Sequence, residues 1–275
     1  MERLPRLLNV SPATASFLLV QAIVHGEVYQ VEWMIGHPSF EHCASYPLID
    51  IAAWAGQLEV LLLLQDHARC TTNAMDVAAR DGHLDIIHFL HYNRTEGCTR
   101  QAMNLAARFN HMEIVAFLQE HRTEGCTSDG LIWAASHGHV DMVELLLTRY
   151  GDTISTPHAM DSACQHGWLN VVKCLHGLGQ PCTTDAMDYA CLNGHFAIVK
   201  FLHLHRNEGA TTRAMSFAAA SGHFEIVKFL RSHHYRVNLK TAVANARKNG
   251  HFTLAQFLTD GVDPTIPLQT LALNV

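Results

Sequence analysis

The chain repeats itself, and that internal period constrains its fold more than any other feature. The string RTEGCT stands at residues 94–99 and again at 122–127. A Gly-His step recurs at Gly82, Gly138, Gly194, Gly222 and Gly250. Gly56 and Gly167 fill the same slot before Gln57 and Trp168, Asn110 fills it before His111, and Gly26 begins the series. Successive anchors are 30, 26, 28, 28, 29, 27, 28 and 28 residues apart, so nine units cover residues 12 to 260. A unit this short cannot bury a core alone and must stack on its neighbours.

Columns through the units carry a helical code. Four residues before the anchor stands Ala in every unit, from Ala22 and Ala52 to Ala218 and Ala246. So small a side chain permits close helix approach. Three residues earlier the column is apolar: Leu19, Ile49, Met75, Met103, Leu131, Met160, Met187, Met215 and Val243. After the anchor come pairs such as Ile86-Ile87 and Val171-Val172, with Leu90 and Leu175 three residues further on. The three- and four-residue offsets predict two amphipathic helices per unit, then a loop of about seven residues. Glycine suits the left-handed residue that ends a helix, and Asn110 is its usual substitute. Asp85, Glu113, Asp141 and Glu225 fall in the first turn of the second helix, where the dipole favours an anion.

The core A-A-x-x-G-H-x-[DE]-I/V-V-x-x-L, seen at Ala78-Ala79-Arg80-Asp81-Gly82-His83-Leu84-Asp85-Ile86-Ile87, resembles the ankyrin repeat. The resemblance implies an all-α, ankyrin-type helical solenoid. Two departures qualify it. The family's T-P-L-H step becomes T-x-x-A-M-[DNS], as in Thr184-Asp185-Ala186-Met187-Asp188. The period is also about five residues short of the usual 33, which shortens the hairpin loops. Such short, His-rich units are similar to those of large ankyrin families in some protists and giant viruses. Those families often carry an F-box ahead of the repeats, and Leu4-Pro5 is too little to make one here. The expected organisation is an N-terminal extension over 1–11, a solenoid over 12–260 and a tail over 261–275. Ser11 is the expected cap of the first helix, and the tail is expected to cover the last repeat.

Composition sets the function classes. With 48% hydrophobic and 16% charged residues, the chain is a folding sequence, not a disordered one. It has no apolar run of membrane-spanning length. Arg3 and Arg6 precede an apolar stretch, but Asn9, Ser11, Pro12 and Gln21 interrupt it, so a helix is expected there and not a secretion signal. The eight cysteines include no C-x-x-C pair. Cys70, Cys98, Cys126 and Cys182 recur at multiples of 28 in the loop before the first helix, at least a repeat apart and so beyond disulfide reach. Reduced cysteines in a cytoplasmic or nuclear protein are the expectation.

The histidines follow the repeat as well. His83, His111, His139, His195, His223 and His251 share one column, whose members would lie about 8–10 Å apart in a stack. Zinc needs its nitrogens at about 2 Å, so these read as turn histidines. Closer groupings are His137 with His139 and His166, His203 with His205, and His233 with His234; none has a cysteine or carboxylate at ligand spacing. Asp50, Asp76, Asp161 and Asp188 form a column near the start of the first helix and read as structural. No hydrolase, nucleotide-binding or metalloprotease motif is present. Neither catalysis nor a metal or cofactor is expected.

Binding surfaces are the better candidates. The two residues before each anchor vary freely, as in Arg80-Asp81, Arg108-Phe109, Ser136-His137, Gln165-His166 and Leu192-Asn193, which points to exposure. The ankyrin resemblance implies that these positions face the concave groove. Arg80, Asp81, Arg108, Phe109, His137, His166, Leu192 and Asn193 are therefore candidate partner contacts, with Phe109 and Leu192 as apolar anchors. Trp133, Tyr189 and Phe217 are expected to be semi-buried.

Charge singles out a second surface. Residues 1–199 hold 10 Lys+Arg against 21 Asp+Glu, whereas residues 200–259 hold 9 against 2. Lys173, Lys200 and Lys228 repeat at one outward position of the second helix, and Arg231 thickens the same end. An acidic protein surface is the expected partner there, since a net charge of −6 argues against nucleic acid. The terminal Leu273-Asn274-Val275 could also suit a carboxylate-capturing groove. The expected function is a monomeric, non-catalytic protein-interaction scaffold or adaptor with an unidentified protein partner. The alternative is an adaptor that recruits a modification machinery such as a ubiquitin ligase.

Overall fold

The structure, a computed structural model, describes residues 12–261 and divides the chain into two compact units, 1–130 and 131–275. Regular structure among the described residues is entirely helical. The first unit contains α1 (Pro12–Val24), α2 (Val28–Ile35), α3 (Phe40–Cys43), α4 (Leu48–Trp54), α5 (Leu58–Leu64), α6 (Thr72–Asp81), α7 (Leu84–Asn93), α8 (Arg100–Arg108) and α9 (Met112–His121). The division falls within α10 (Ser128–Ser136). The second unit continues with α11 (Val140–Ile154), α12 (Pro157–His166), α13 (Leu169–Gly177), α14 (Thr184–Leu192) and α15 (Phe196–His205). It closes with α16 (Thr212–Ala220), α17 (Phe224–Ser232), α18 (Leu239–Lys248) and α19 (Phe252–Asp260). The expected cap at Ser11, the extension over 1–11, and the tail with Leu273-Asn274-Val275 lie outside the described residues.

The repeat code explains each helix pair. Thr71, Thr99, Thr183 and Thr211 cap α6, α8, α14 and α16, each hydroxyl accepting from the backbone N–H two residues on. The anchor then reverses the chain: Gly82 has φ +88° and Asn110 φ +63°, the left-handed region that stops a helix. The residue after each anchor donates its backbone N–H to the alanine column, as His83 does to Ala78 at 2.9 Å and His223 to Ala218 at 2.9 Å.

Within each unit the first helices stack on one another: α4 on α6 and α6 on α8 in one, α12 on α14, α14 on α16 and α16 on α18 in the other. The alanine column is buried from Ala22 to Ala246, and so are Ile86-Ile87, Ile114-Val115, Val171-Val172, Ile198-Val199 and Ile226-Val227. The family of loops is less uniform than the sequence implies. The short α3 fills the first one, and α11 runs through its own loop to a buried Ile154. At the far end Val243 is half-buried and Ala244 and Arg247 are exposed, because no described helix stacks beyond α18.

Candidate functional site

Two polar links hold each turn against the next repeat, and they decide which side chains remain free to meet a partner. The first is a clasp made by the residue after the anchor. His111 lies over Gly82 with its Nε2 3.0 Å from the Arg80 carbonyl. His195 lies over Gly167 and meets the Gln165 carbonyl at 3.1 Å; His223 lies over Gly194 and meets the Leu192 carbonyl at 3.0 Å. Trp168 takes the same place over Gly138 and donates its indole N–H to the Ser136 carbonyl at 2.8 Å. In these four the shared chemistry is a flat ring with an N–H, so the histidines are Nε2–H donors. Over Gly26 the Gln57 amide takes the place of the ring and donates to the Val24 carbonyl at 3.5 Å. A Cβ on Gly194 would stand 2.6 Å from the His223 ring, so close approach as well as backbone angle demands glycine. Reading these side chains as turn histidines located them; their reach into the preceding repeat carried no signal in their own neighbours.

The second link is a clamp from the aspartate column. Asp50, Asp76, Asp161 and Asp188 are buried, and each accepts the backbone N–H and hydroxyl of the threonine that caps or precedes the next first helix. The N–H distances are 2.9 Å from Thr71, 2.8 Å from Thr99, 2.9 Å from Thr183 and 2.9 Å from Thr211. Asn104 does the same with its amide, accepting from the Thr127 N–H and donating to its hydroxyl, both at 2.9 Å. Burial raises the Asp76 and Asp161 carboxyls above the usual range, against the lowering effect of the threonine bonds. These carboxylates are spent on the stack.

The loops between units are held in turn by arginine. Arg94 pairs with Glu96 at 2.6 Å and donates to the Gln65 carbonyl of the preceding repeat at 2.8 Å; Arg206 pairs with Glu208 and reaches the Gln180 carbonyl at 3.3 Å. Arg122 pairs with Glu124 likewise. Beneath these loops burial pushes the Cys70 and Cys98 thiols up to about 12, and Cys126 and Cys182 to about 11. All eight cysteines are free thiols, and at these values the four beneath the loops are poor nucleophiles.

The candidate residues fall into distinct settings. Asp81, Phe109, His137, His166 and Asn193 are exposed, as the free variation implies. Arg80, Arg108 and Leu192 are half-buried, which corrects the reading of Leu192 as an exposed anchor. The Leu192 carbonyl holds His223 of the next repeat. Arg80 is tied to Asp81 at 2.7 Å, and Arg108 lies 5.4 Å from the Phe109 ring centre. His137 and His166 donate back to their own helices, at the Trp133 and Ser162 carbonyls. Asn193 reaches the Gln165 carbonyl of the previous repeat at 2.9 Å. Trp54, in the same slot of an earlier unit, is 47% exposed and Phe109 is 46% exposed. Trp133, Tyr189 and Phe217 are half-buried.

On the outer helices Lys173 and Lys200 are exposed, with the Lys200 ammonium 4.7 Å over the Phe196 ring, while Lys228 is half-buried. Arg231 does not thicken the basic surface. Its guanidinium donates to the Phe257 carbonyl at 2.7 Å and stacks on the Phe257 ring, countering the C-terminal end of α19. Of the expected histidine groupings, His137 stacks on His139 at 5.9 Å between ring centres, while others meet rings across repeats. His203 packs on Phe229 and His233 and bonds the Tyr235 hydroxyl, and His205 packs on Phe201 and His176. Among the described residues no three His, Cys, Asp or Glu side chains gather at metal-ligating geometry, and no helix is long and apolar enough to cross a membrane.

Stacked helix pairs with left-handed glycine turns and buried alanine columns define a helical repeat protein. A family model described as ankyrin repeats (3 copies) matches residues 75–158 and 187–267, each match spanning three anchors, and the chain belongs to that family. No curated protein matches the sequence. Ankyrin repeats generally mediate protein–protein interaction and typically serve as non-catalytic binding scaffolds.

Proposed function

We propose that the chain is a non-catalytic scaffold or adaptor that binds another protein along the turn line of its first unit. The observation that carries this reading is the sequence of side chains in one slot over successive repeats: Trp54, then Arg80-Asp81, then Arg108-Phe109, raised on buried columns and clasped turns. Trp and Arg are the residues that most often dominate interface energetics. The clasp and clamp support it further, since they rigidify the backbone beneath those side chains and lower the cost of ordering on binding. His137, His166 and Asn193 fill the corresponding slot within the second unit. Lys173 and Lys200, with Lys228 beside them, form a second surface that would steer an acidic protein. Recruitment of a modification machinery such as a ubiquitin ligase is a narrower form of this reading, and it requires one chain to hold two proteins at once. A monomer acting in the cytoplasm or nucleus fits the reduced, buried cysteines.

The test compares proteins captured from the native cell by the wild type and by a Trp54→Ser, Phe109→Ser double variant of equal stability. A partner bound by the first and lost by the second supports the turn line. A partner retained by the double variant but lost from Lys173→Glu, Lys200→Glu, Lys228→Glu would move the site to the outer helices.

A further inference from the structure

The last described repeat carries a clasp site that no described residue covers. Gly250 has φ +82°, inside the range of the clasped glycines from Gly56 at +71° to Gly82 at +88°. Those glycines each have a ring against them, whereas no described atom lies within 4 Å of where a Cβ would stand on Gly250, and the residue is exposed. The Lys248 carbonyl occupies the position that Arg80, Gln165 and Leu192 use to accept His111, His195 and His223, and it has no side-chain donor among the described residues. A depression of about 470 Å³ opens at this place, bordered by Gly222, Phe224, Gly250, His251 and Phe252. Phe252 is 69% exposed, although its counterparts Phe196 and Phe224 pack on Phe229 and Phe257 of the following unit.

Charge adds a second requirement. Arg247 stands where the inner units bury Ala79, Ala107, Ala135 and Ala219, and with Lys240 and Lys248 it makes the end face basic. A further repeat stacked in register would bury that guanidinium without a partner, at a high cost. Glu225 is the one carboxylate among the residues lining the depression.

We propose that this end face binds a segment of a partner protein in which a tryptophan or histidine is flanked by aspartate or glutamate. The ring covers Gly250 and packs beside Phe252, its N–H donates to the Lys248 carbonyl, and the flanking carboxylates meet Arg247, Lys248 and Lys240. The rings that cover Gly56 through Gly222 are histidine or tryptophan, and residues 262–275 hold neither. The first unit of a second copy offers Glu27 at the matching position, an acceptor and not a ring N–H. The site is separate from the turn line and does not depend on it.

The experiment titrates a fluorescent acidic heptapeptide with a central tryptophan into the full chain, alongside its phenylalanine and leucine versions and a lysine-rich control. Loss of one hydrogen bond should weaken the phenylalanine peptide by about three- to tenfold, and the lysine-rich control should not bind. In the NMR spectrum the Gly250 Hα should move upfield under the ring current. Gly250→Asn, a residue that already holds this backbone conformation at Asn110, should keep the fold and lose about tenfold in affinity. Arg247→Glu with Lys248→Glu should abolish binding at low salt, whereas Trp54→Ser and Phe109→Ser should leave it unchanged. Equal binding of the tryptophan and leucine peptides, indifference to Gly250→Asn, or shifts centred on Phe109 would overturn the proposal. So would displacement of the peptide by single-stranded DNA, or concentration-dependent dimerisation lost in the Arg247 variant.

Discussion

Two adjacent junctions in the second unit share a ring over the glycine turn but not a clamp. Where α14 meets α16, His223 covers Gly194 and Asp188 holds Thr211. Where α16 meets α18, His251 covers Gly222, but Ser216 replaces the aspartate and bonds only within its own helix, to Thr212. The cap of α18 is Asn238, whose side chain serves Thr241. Both junctions nevertheless bury the alanine and methionine columns completely. Ile132 is a second instance: it stands in the aspartate column, and Thr156 opens α12 without a side-chain cap bond. The apolar columns and the ring over the turn therefore build the stack, and the clamp is an addition that two junctions of the second unit lack.

The largest test of that division is Asp188→Ala against Ser216→Ala. The first strands the half-buried Thr211 N–H and hydroxyl and releases Arg213, and should cost about 2–4 kcal/mol. The second should cost under about 1 kcal/mol. Urea unfolding measures both, and equal losses would break the comparison. The shared columns should respond alike: Ala190→Leu and Ala218→Leu are each expected to lose about 1–3 kcal/mol by overpacking. A clear difference between them would mean the clamp changes how closely the helices approach.

The clasp should be indifferent to the clamp. His223→Phe keeps a ring over Gly194 and removes the bond to the Leu192 carbonyl, for a loss of about 0.5–1.5 kcal/mol. The same loss is expected when Asp188 is already alanine, and a non-additive double-mutant cycle would show that the links cooperate.

The smallest effect concerns pH. The Asp161 carboxyl is raised by burial, so its contribution is full below the usual carboxylate pKa and is lost as pH rises through the folded value. Asn104 shows that an amide can make both threonine bonds. Asp161→Asn should thus be at least as stable as the wild type at pH 7, and should lose that advantage as pH falls toward 4. Thermal unfolding at the two pH values decides it; a variant that gains in acid would reverse the sign of the burial effect.

The sequence alone determined the period, the two helices of each unit and the positions of their turns. It could, because a helix buries its face at three- and four-residue offsets and a left-handed turn selects Gly82 or Asn110 whatever lies next to it. The exposure of Phe109 was legible for the same local reason, and the half-burial of Leu192 was not. Only the tertiary structure decided which columns touch across repeats. Asp76 meets Thr99 and His111 meets Arg80 at separations of 23 and 31 residues, set by the angle at which one unit rests on the next. A one-dimensional period does not contain that angle. One trace of it was present: Asp50, Asp76, Asn104, Asp161 and Asp188 are each followed 21 to 23 residues later by threonine, and Ser216 is not. The uncovered face of Gly250 had no such trace, because a site defined by a missing neighbour exists only once the neighbours are in place.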